Sequence, residues 1–272
     1  MTDPKRPLPD FEDPPVIETV LGVQFAPLSA FSIPHLGLYW NRIRHDYPKS
    51  QVMPPLGTVL EEFGRHATGP PIGVELVPEL DVRCWFIDES TTQLIQVQKD
   101  RFIRNWRKIR HDDMYPRYET LKPRFKADWE RFSRFLEEEA LGSPEVNQCE
   151  VTYINHMDIG IGWDSYGEID KVVRLKLLAA PREFLPEPEK VNLNVRYLMP
   201  DKKGRLHVTL QPAIRRHDAK EIFQLEITAR GRPAASNISD ILDWFDVAHE
   251  WIVRGFADLT TPEMHRVWRR KV

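Results

Sequence analysis

Reactive sulfur is nearly absent from this chain: of its 272 residues only Cys84 and Cys149 are cysteines, far apart and in no CxxC pair. That excludes a disulfide framework and a zinc ribbon, and it predicts two small buried hydrophobes, the usual state of a free cysteine. Catalytic signatures are missing as well. No GxxxxGK[ST], no GxGxxG after a strand, no GxSxG and no HExxH occurs, and His249-Glu250 continues as Trp-Ile-Val, without a second zinc histidine. The nine histidines are scattered, with no pair at ligand spacing beside a third ligand, so neither a metal nor a cofactor is expected. The one long stretch free of Asp, Glu, Lys and Arg, Thr19 to Asn41, carries Gln24, Pro27, Ser29, Ser32, Pro34 and His35. It breaks into strand, turn and helix, and no membrane span is expected. The N-terminal MTDPKRPLPDFEDPP has no apolar core for a secretory signal, which predicts a cytoplasmic protein. Net charge is small: 38 Lys and Arg against 41 Asp and Glu leave −3, with no global pull towards nucleic acid or anionic lipid.

What is present is a globular composition, 41% apolar and 29% charged, long enough for one large domain or two intimate small ones. Five prolines in residues 1–15 predict an extended arm without regular hydrogen bonding. Ile17, Thr19, Leu21, Val23 and Phe25 alternate onto one side of a strand. Ser32 then caps a short helix with Ile33, Leu36, Trp40, Ile43 and Tyr47 on its apolar face. Residues 53–71 read as an irregular loop, and 82–87 with 93–98 as an antiparallel hairpin. Leu121, Phe125, Trp129, Phe132, Leu136 and Ala140 recur at steps of three and four and mark the clearest helix, stopped by Gly142 and Pro144.

The second half repeats that order. A strand is predicted at 149–154, then a bend with Gly160 and Gly162, an apolar run at 172–178 and a break at Pro181, Pro186 and Pro188. Strands follow at 191–199, 206–214 and 221–229, the first two joined by a turn in which Gly204 is expected to supply a positive φ. The Ser236/Asn237 pair can cap a helix whose apolar positions are Ile238, Ile241, Leu242, Phe245, Ala248, Ile252 and Phe256, and Thr261-Pro262 opens a last short one. Arg266, Arg269, Arg270 and Lys271 are expected to complement that helix's C-terminus. One amphipathic helix cannot bury its face alone, so each half needs its sheet. The predicted fold is α+β: a curved antiparallel sheet with two long helices packed on one face. It is organised as an arm (1–15) and two pseudo-repeated halves (16–145 and 146–272) forming one unit, either a saddle like that of TATA-binding protein or a helix-grip.

The densest polar constellation is QVQKDRFIRNWRKIRH, residues 96–111. Lys99, Arg101, Arg104, Arg107, Lys108 and Arg110 stand against Asp100 alone, six charges against one, a local balance of +5. Phe102 and Trp106 lie between them. Such a strip suits single-stranded nucleic acid by phosphate neutralisation and base stacking. It equally suits carboxylates of a partner protein, because the Arg fork matches them. The third reading is a solvated face with the two aromatics turned inward and cations paired with Glu137, Glu138 and Glu139. Gln96 and Gln98 share a side if the strand persists, and an Arg-held Asp100 is expected to have its pKa pulled down, which suits anchoring better than general-base work. The candidate binding residues are therefore Gln96, Gln98, Lys99, Asp100, Arg101, Arg104, Asn105, Trp106, Arg107 and Lys108.

The PP-[IV]-x-E opening at Pro14 to Glu18, Gln24-Phe25, Trp40, the QxQxDRFxxNW segment of Gln96 to Trp106, and the last long helix around His249 and Phe256 form a pattern spanning nearly the whole chain. In these residues the chain resembles a sporadically distributed family of uncharacterised bacterial proteins. The resemblance implies no particular reaction or cofactor. Patchy distribution is typical of mobile or defence-associated genes, which implies a non-enzymatic protein-binding component, antitoxin-like or part of a phage-defence system, with a partner encoded nearby. Two alternatives stay open: a nucleic-acid-binding or processing protein using residues 99–111, and a small-molecule enzyme with its pocket between sheet and helix.

Overall fold

The computed structural model describes residues 7–61, 81–174, 184, 186 and 188–272. The predicted apolar run at 172–178 and loop at 53–71 fall partly outside them, as does Pro181.

A single nine-stranded antiparallel sheet runs through both halves in the order β2-β3-β4-β5-β1-β6-β9-β8-β7. Its strands are β1 (Val16–Phe25), β2 (Lys49–Met53), β3 (Arg83–Ile87), β4 (Gln93–Gln98), β5 (Arg101–Arg107), β6 (Val146–Asp158), β7 (Leu193–Leu198), β8 (Arg205–Ile214) and β9 (Glu221–Gly231). The helices are α1 (Ile33–Ile43), α2 (Tyr118–Glu138), α3 (Ile169–Val172), α4 (Ile238–Leu259) and α5 (Pro262–Val267). The first strand of each half, β1 and β6, lies at the centre, with Leu21 opposite Val151 and Val23 opposite Cys149. The predicted α+β class, the hairpin and both long helices are present. The sheet is open, with β2 and β7 as its edges.

Strand alternation sorts the side chains into two populations. Leu21, Val23 and Phe25 of β1, Phe102 and Trp106 of β5, and Leu206, Val208 and Leu210 of β8 point to the side carrying the helices, where all are buried. Phe102 stacks on Phe132 of α2 at 5.1 Å, and Phe125 of α2 meets Phe245 of α4 edge-on at 4.9 Å, so the two long helices close one aromatic core. Buried apolar residues from both halves belong to a single cluster. In α1 the buried line is Leu36, Tyr39 and Ile43, whereas Ile33 is 52% exposed. Tyr39 rather than Trp40 takes the central place, and the Trp40 indole instead donates to the Tyr47 carbonyl at 3.0 Å.

Several local expectations are corrected. The arm is hydrogen-bonded: Glu12 donates to the Arg269 carbonyl, Asp13 to that of Trp268, and Lys271 back to Asp10. The C-terminal cations serve this pairing, Arg269 meeting Glu12 and Asp13 and Lys271 meeting Asp10. Gly204 does not supply the positive φ of its turn; Asp201 (55°) and Lys202 (54°) do. Glycine is required there by proximity, since a Cβ on Gly204 would stand 2.4 Å from the Arg230 carbonyl oxygen. Glu138 and Glu139 pair with Arg42, not with the 99–111 cations. Cys149 is buried and Cys84 half-buried, both as free thiols. Among the described residues no helix is long and apolar enough to cross a membrane.

Candidate functional site

The strand β5 explains why the basic segment does not form one surface. Alternation sends Phe102, Arg104 and Trp106 under the helices and Arg101, Asn105 and Arg107 to the opposite face, which is helix-free among the described residues. Arg104 is 4% exposed and donates through Nε to Asp128 of α2 at 2.9 Å, with Tyr47 Oη donating to the same carboxylate at 2.7 Å. Trp106 is 3% exposed and packs on Tyr115. Neither reaches the face that holds Arg101. Lys108 lies just beyond β5, exposed, and Lys99 sits in the β4–β5 turn 4.0 Å from Asp81.

On the helix-free face the other candidates form two rows of polar side chains. In the first row Arg83 and Trp85 of β3 both donate to Gln96 Oε1, at 2.7 and 2.9 Å. Gln96 Nε2 donates to Asn105 (2.8 Å), and Asn105 donates to Glu18 of β1 (2.6 Å). The bonds run in one direction over four neighbouring strands. Burial raises the Glu18 carboxyl above its ordinary pKa, only partly offset by the Asn105 bond and the Arg107 charge. Arg107 lies over the Trp85 ring at 5.2 Å.

The second row is Gln98, Arg101, Gln24 and Gln148, standing directly opposite one another on β4, β5, β1 and β6. Residues 56–61 cross this row as an extended strap. Gln98 binds Leu56 at both ends: its Oε1 accepts from the Leu56 N–H (2.9 Å) and its Nε2 donates to the Leu56 carbonyl (3.1 Å). Arg101 donates to the Gly57 carbonyl (2.9 Å) and to Gln24 Oε1 (2.7 Å), which takes a longer bond from the Val59 N–H (3.4 Å). Gln148 accepts from the Glu61 N–H (2.9 Å) and donates to the Val59 carbonyl. At the far end Arg205 and His207 of β8 hold the Glu61 carboxylate. Burial pushes that carboxyl up, but the hydrogen bonds from His207 and Arg205 outweigh it and hold the pKa below its ordinary value.

The geometry matches the spacing of the two backbones. Strands lie about 4.8 Å apart, so β4 to β6 is roughly 14 Å, and the five steps from residue 56 to 61 span roughly 17 Å of extended chain. A glutamine amide carries the same donor and acceptor as a peptide group, so each rung imitates one bridge of a β-ladder and reads main chain, not side-chain identity. The strap satisfies the row incompletely. Gln24 Nε2 and Arg101 Nε are buried without a hydrogen-bond partner. Asp100, in the turn, accepts from Gln98 (2.9 Å) and, at 3.5 Å, from Thr58. Its pKa is raised, because burial exceeds the opposing charge of Arg101. The expected depression is therefore reversed.

Gln96, Gln98, Asp100, Arg101, Asn105 and Arg107 are thus gathered on or beside one face, while Arg104 and Trp106 are removed from it. Sequence reasoning missed Gln24, Gln148 and the strap as members of the same site; the available signal was Gln24 on an outward position of an otherwise largely apolar strand. Among the described residues no group of three or more His, Cys, Asp or Glu side chains is placed to hold a metal. Comparison with protein-family models, curated proteins and solved structures finds no match to the chain. Function has to be argued from this geometry.

Proposed function

We propose that this protein is a non-enzymatic protein-binding component whose helix-free sheet face docks an extended segment of a partner protein. The observation carrying this reading is the Gln98–Arg101–Gln24–Gln148 row, set out as a backbone reader and occupied by the chain's own residues 56–61 with two donors left over. A buried donor without a partner costs about 1–3 kcal/mol, so a segment whose carbonyls reach Gln24 Nε2 and Arg101 Nε displaces the strap on energetic grounds. The face suits a polypeptide better than nucleic acid. Its cations are engaged by protein groups, Arg230 by Glu150 and Arg205 by Glu61, and among the described residues no row of free cations follows a phosphate path. The resemblance to a sporadically distributed family of uncharacterised bacterial proteins, a distribution typical of mobile or defence-associated genes, supports a partner encoded by a neighbouring gene.

The finer architecture belongs to the same reading. We propose two pseudo-repeated halves joined in a saddle: β1, α1, a meander ending in β5, then α2 in the first, and β6, α3, a meander ending in β9, then α4 in the second. A central β1–β6 pair and helices on one side leave the other side of the saddle for the partner.

Co-expression of the full chain with the neighbouring gene's product tests the proposal. A stoichiometric complex is expected, at least tenfold weaker for Gln24→Leu/Gln148→Leu and tighter for Val59→Pro/Glu61→Pro, in which the strap loses the amides it donates. A chain that remains a lone monodisperse monomer, or a complex indifferent to both variants, refutes it.

A further inference from the structure

A second cavity lies on the helix side, away from the strap. It encloses about 380 Å³ between the arm, the β1–β6 centre and α4, within the roughly 300–1,000 Å³ typical of small-molecule pockets. Most of its wall is apolar, from Phe11, Val16, Ile227, Ile252, Val253 and Phe256.

Its polar wall is a directed chain. The Tyr115 hydroxyl donates to Tyr153 Oη at 2.9 Å, and Tyr153 Oη lies 2.9 Å from His249 Nδ1. With Tyr153 accepting from Tyr115, its own proton is available to Nδ1 of a ring that carries its hydrogen on Nε2. Burial holds His249 neutral, its pKa lowered to about 4, so the ring has a single N–H. No hydrogen bond to Nε2 occurs among the described residues, and the ring is clamped by stacking on Tyr118 at 4.0 Å and 8°. At the rim Arg117 holds the strained combination φ 65°, ψ 154°. It is kept there by Asp10 and the carbonyls of Phe11 and Glu12, which pins the arm as one wall. The arm thus occupies Arg117, the cation among the described residues that line the cavity, and Glu119 also lines it, so this wall is ill suited to an anion.

We propose that this cavity binds a small, uncharged, ring-sized apolar molecule bearing one hydrogen-bond acceptor, such as a ketone or amide carbonyl, with His249 Nε2–H as the anchoring donor. Tyr153 and Tyr115 are positioning residues that fix the tautomer.

Titration of the full chain with acetophenone, followed by ¹H–¹⁵N NMR of the histidine side chains, tests this. Expected are an Nε2–H tautomer for His249 before ligand, a saturable shift of its resonances, and at least tenfold weaker binding of ethylbenzene and of benzoate. Val253→Trp, which fills the cavity, should weaken acetophenone at least tenfold. Should that variant not fold, His249→Phe keeps the stacked ring, removes the donor and should abolish the preference for ketone over hydrocarbon. An Nδ1–H tautomer, unsaturable shifts, or affinity unchanged in the variant that folds overturns the proposal.

Discussion

The two faces of the one sheet are stabilised by different physics. Under the helices, rings and branched chains fill space: Phe102, Phe125, Phe132 and Phe245 are fully buried and meet as stacked or edge-on pairs. Such contacts are non-directional and scale with area, so they favour compactness without specifying a partner. On the other face Leu94 and Ile103 are buried among amides, and much of the order comes from bonds that have direction. A directional group can be satisfied by another molecule as well as by its own chain, and it is this property on which the proposed docking at the second face rests.

The comparison breaks first at the core. Phe132→Ala should cost about 3–5 kcal/mol, read as a lowered denaturation midpoint. Arg104→Met should cost a similar 3–5 kcal/mol by leaving Asp128 buried with Tyr47 alone, whereas Arg104→Met/Asp128→Leu should recover most of it. A single variant as mild as a surface change would show that the two faces do not differ as argued.

Acid provides the next largest effect. His249 and His265 are both lowered to about 4 by burial, from an ordinary value of 6.5. A depressed histidine takes up its proton first in the unfolded state. Stability is therefore full above pH 6.5 and falls as pH drops from there towards 4, by about 1.4 kcal/mol per unit of separation, or about 3 kcal/mol for one such residue. His249→Phe should flatten this slope in a pH series of denaturation curves; an unchanged slope would remove His249 as its source.

The helix-free face should respond locally. Gln24→Leu/Gln148→Leu is expected to cost only about 1–2 kcal/mol globally while the Val59 and Glu61 amides lose at least tenfold in hydrogen-exchange protection. A protection pattern unaltered there would mean the strap is held by something other than its rungs. Smallest of all, Arg110→Ala, at a side chain 73% exposed, should change stability by less than about 0.5 kcal/mol.

Much of the fold was legible because helices and half-buried strands write their period into the sequence. Phe125, Trp129 and Phe132 announced α2, and the Ser236/Asn237 pair announced the start of α4, where the Asn237 side chain accepts from the Asp240 N–H at 3.0 Å. The basic segment was misleading because charge counting ignores alternation: Arg101 and Arg104 are three apart and so point to opposite faces of β5. The strap was hidden for another reason. The partners of its main chain are 35 to 89 residues away, from Gln24 to Val59 and from Gln148 to Val59, and no local pattern in PPLGTVLE records that its main chain lies across a sheet. The relay Tyr115–Tyr153–His249 was equally invisible, since it joins a loop, a strand and a helix.

Because the rungs grip peptide groups, the strap imposes a grammar of prohibition in place of a consensus motif. Donors are needed at 56, 59 and 61, so proline is barred from three places spaced three and two apart, while at 56 and 59 almost any other letter is tolerated. A rival ribbon taking the same track would have to obey the same spacing, and could be recognised by the imino acid it lacks.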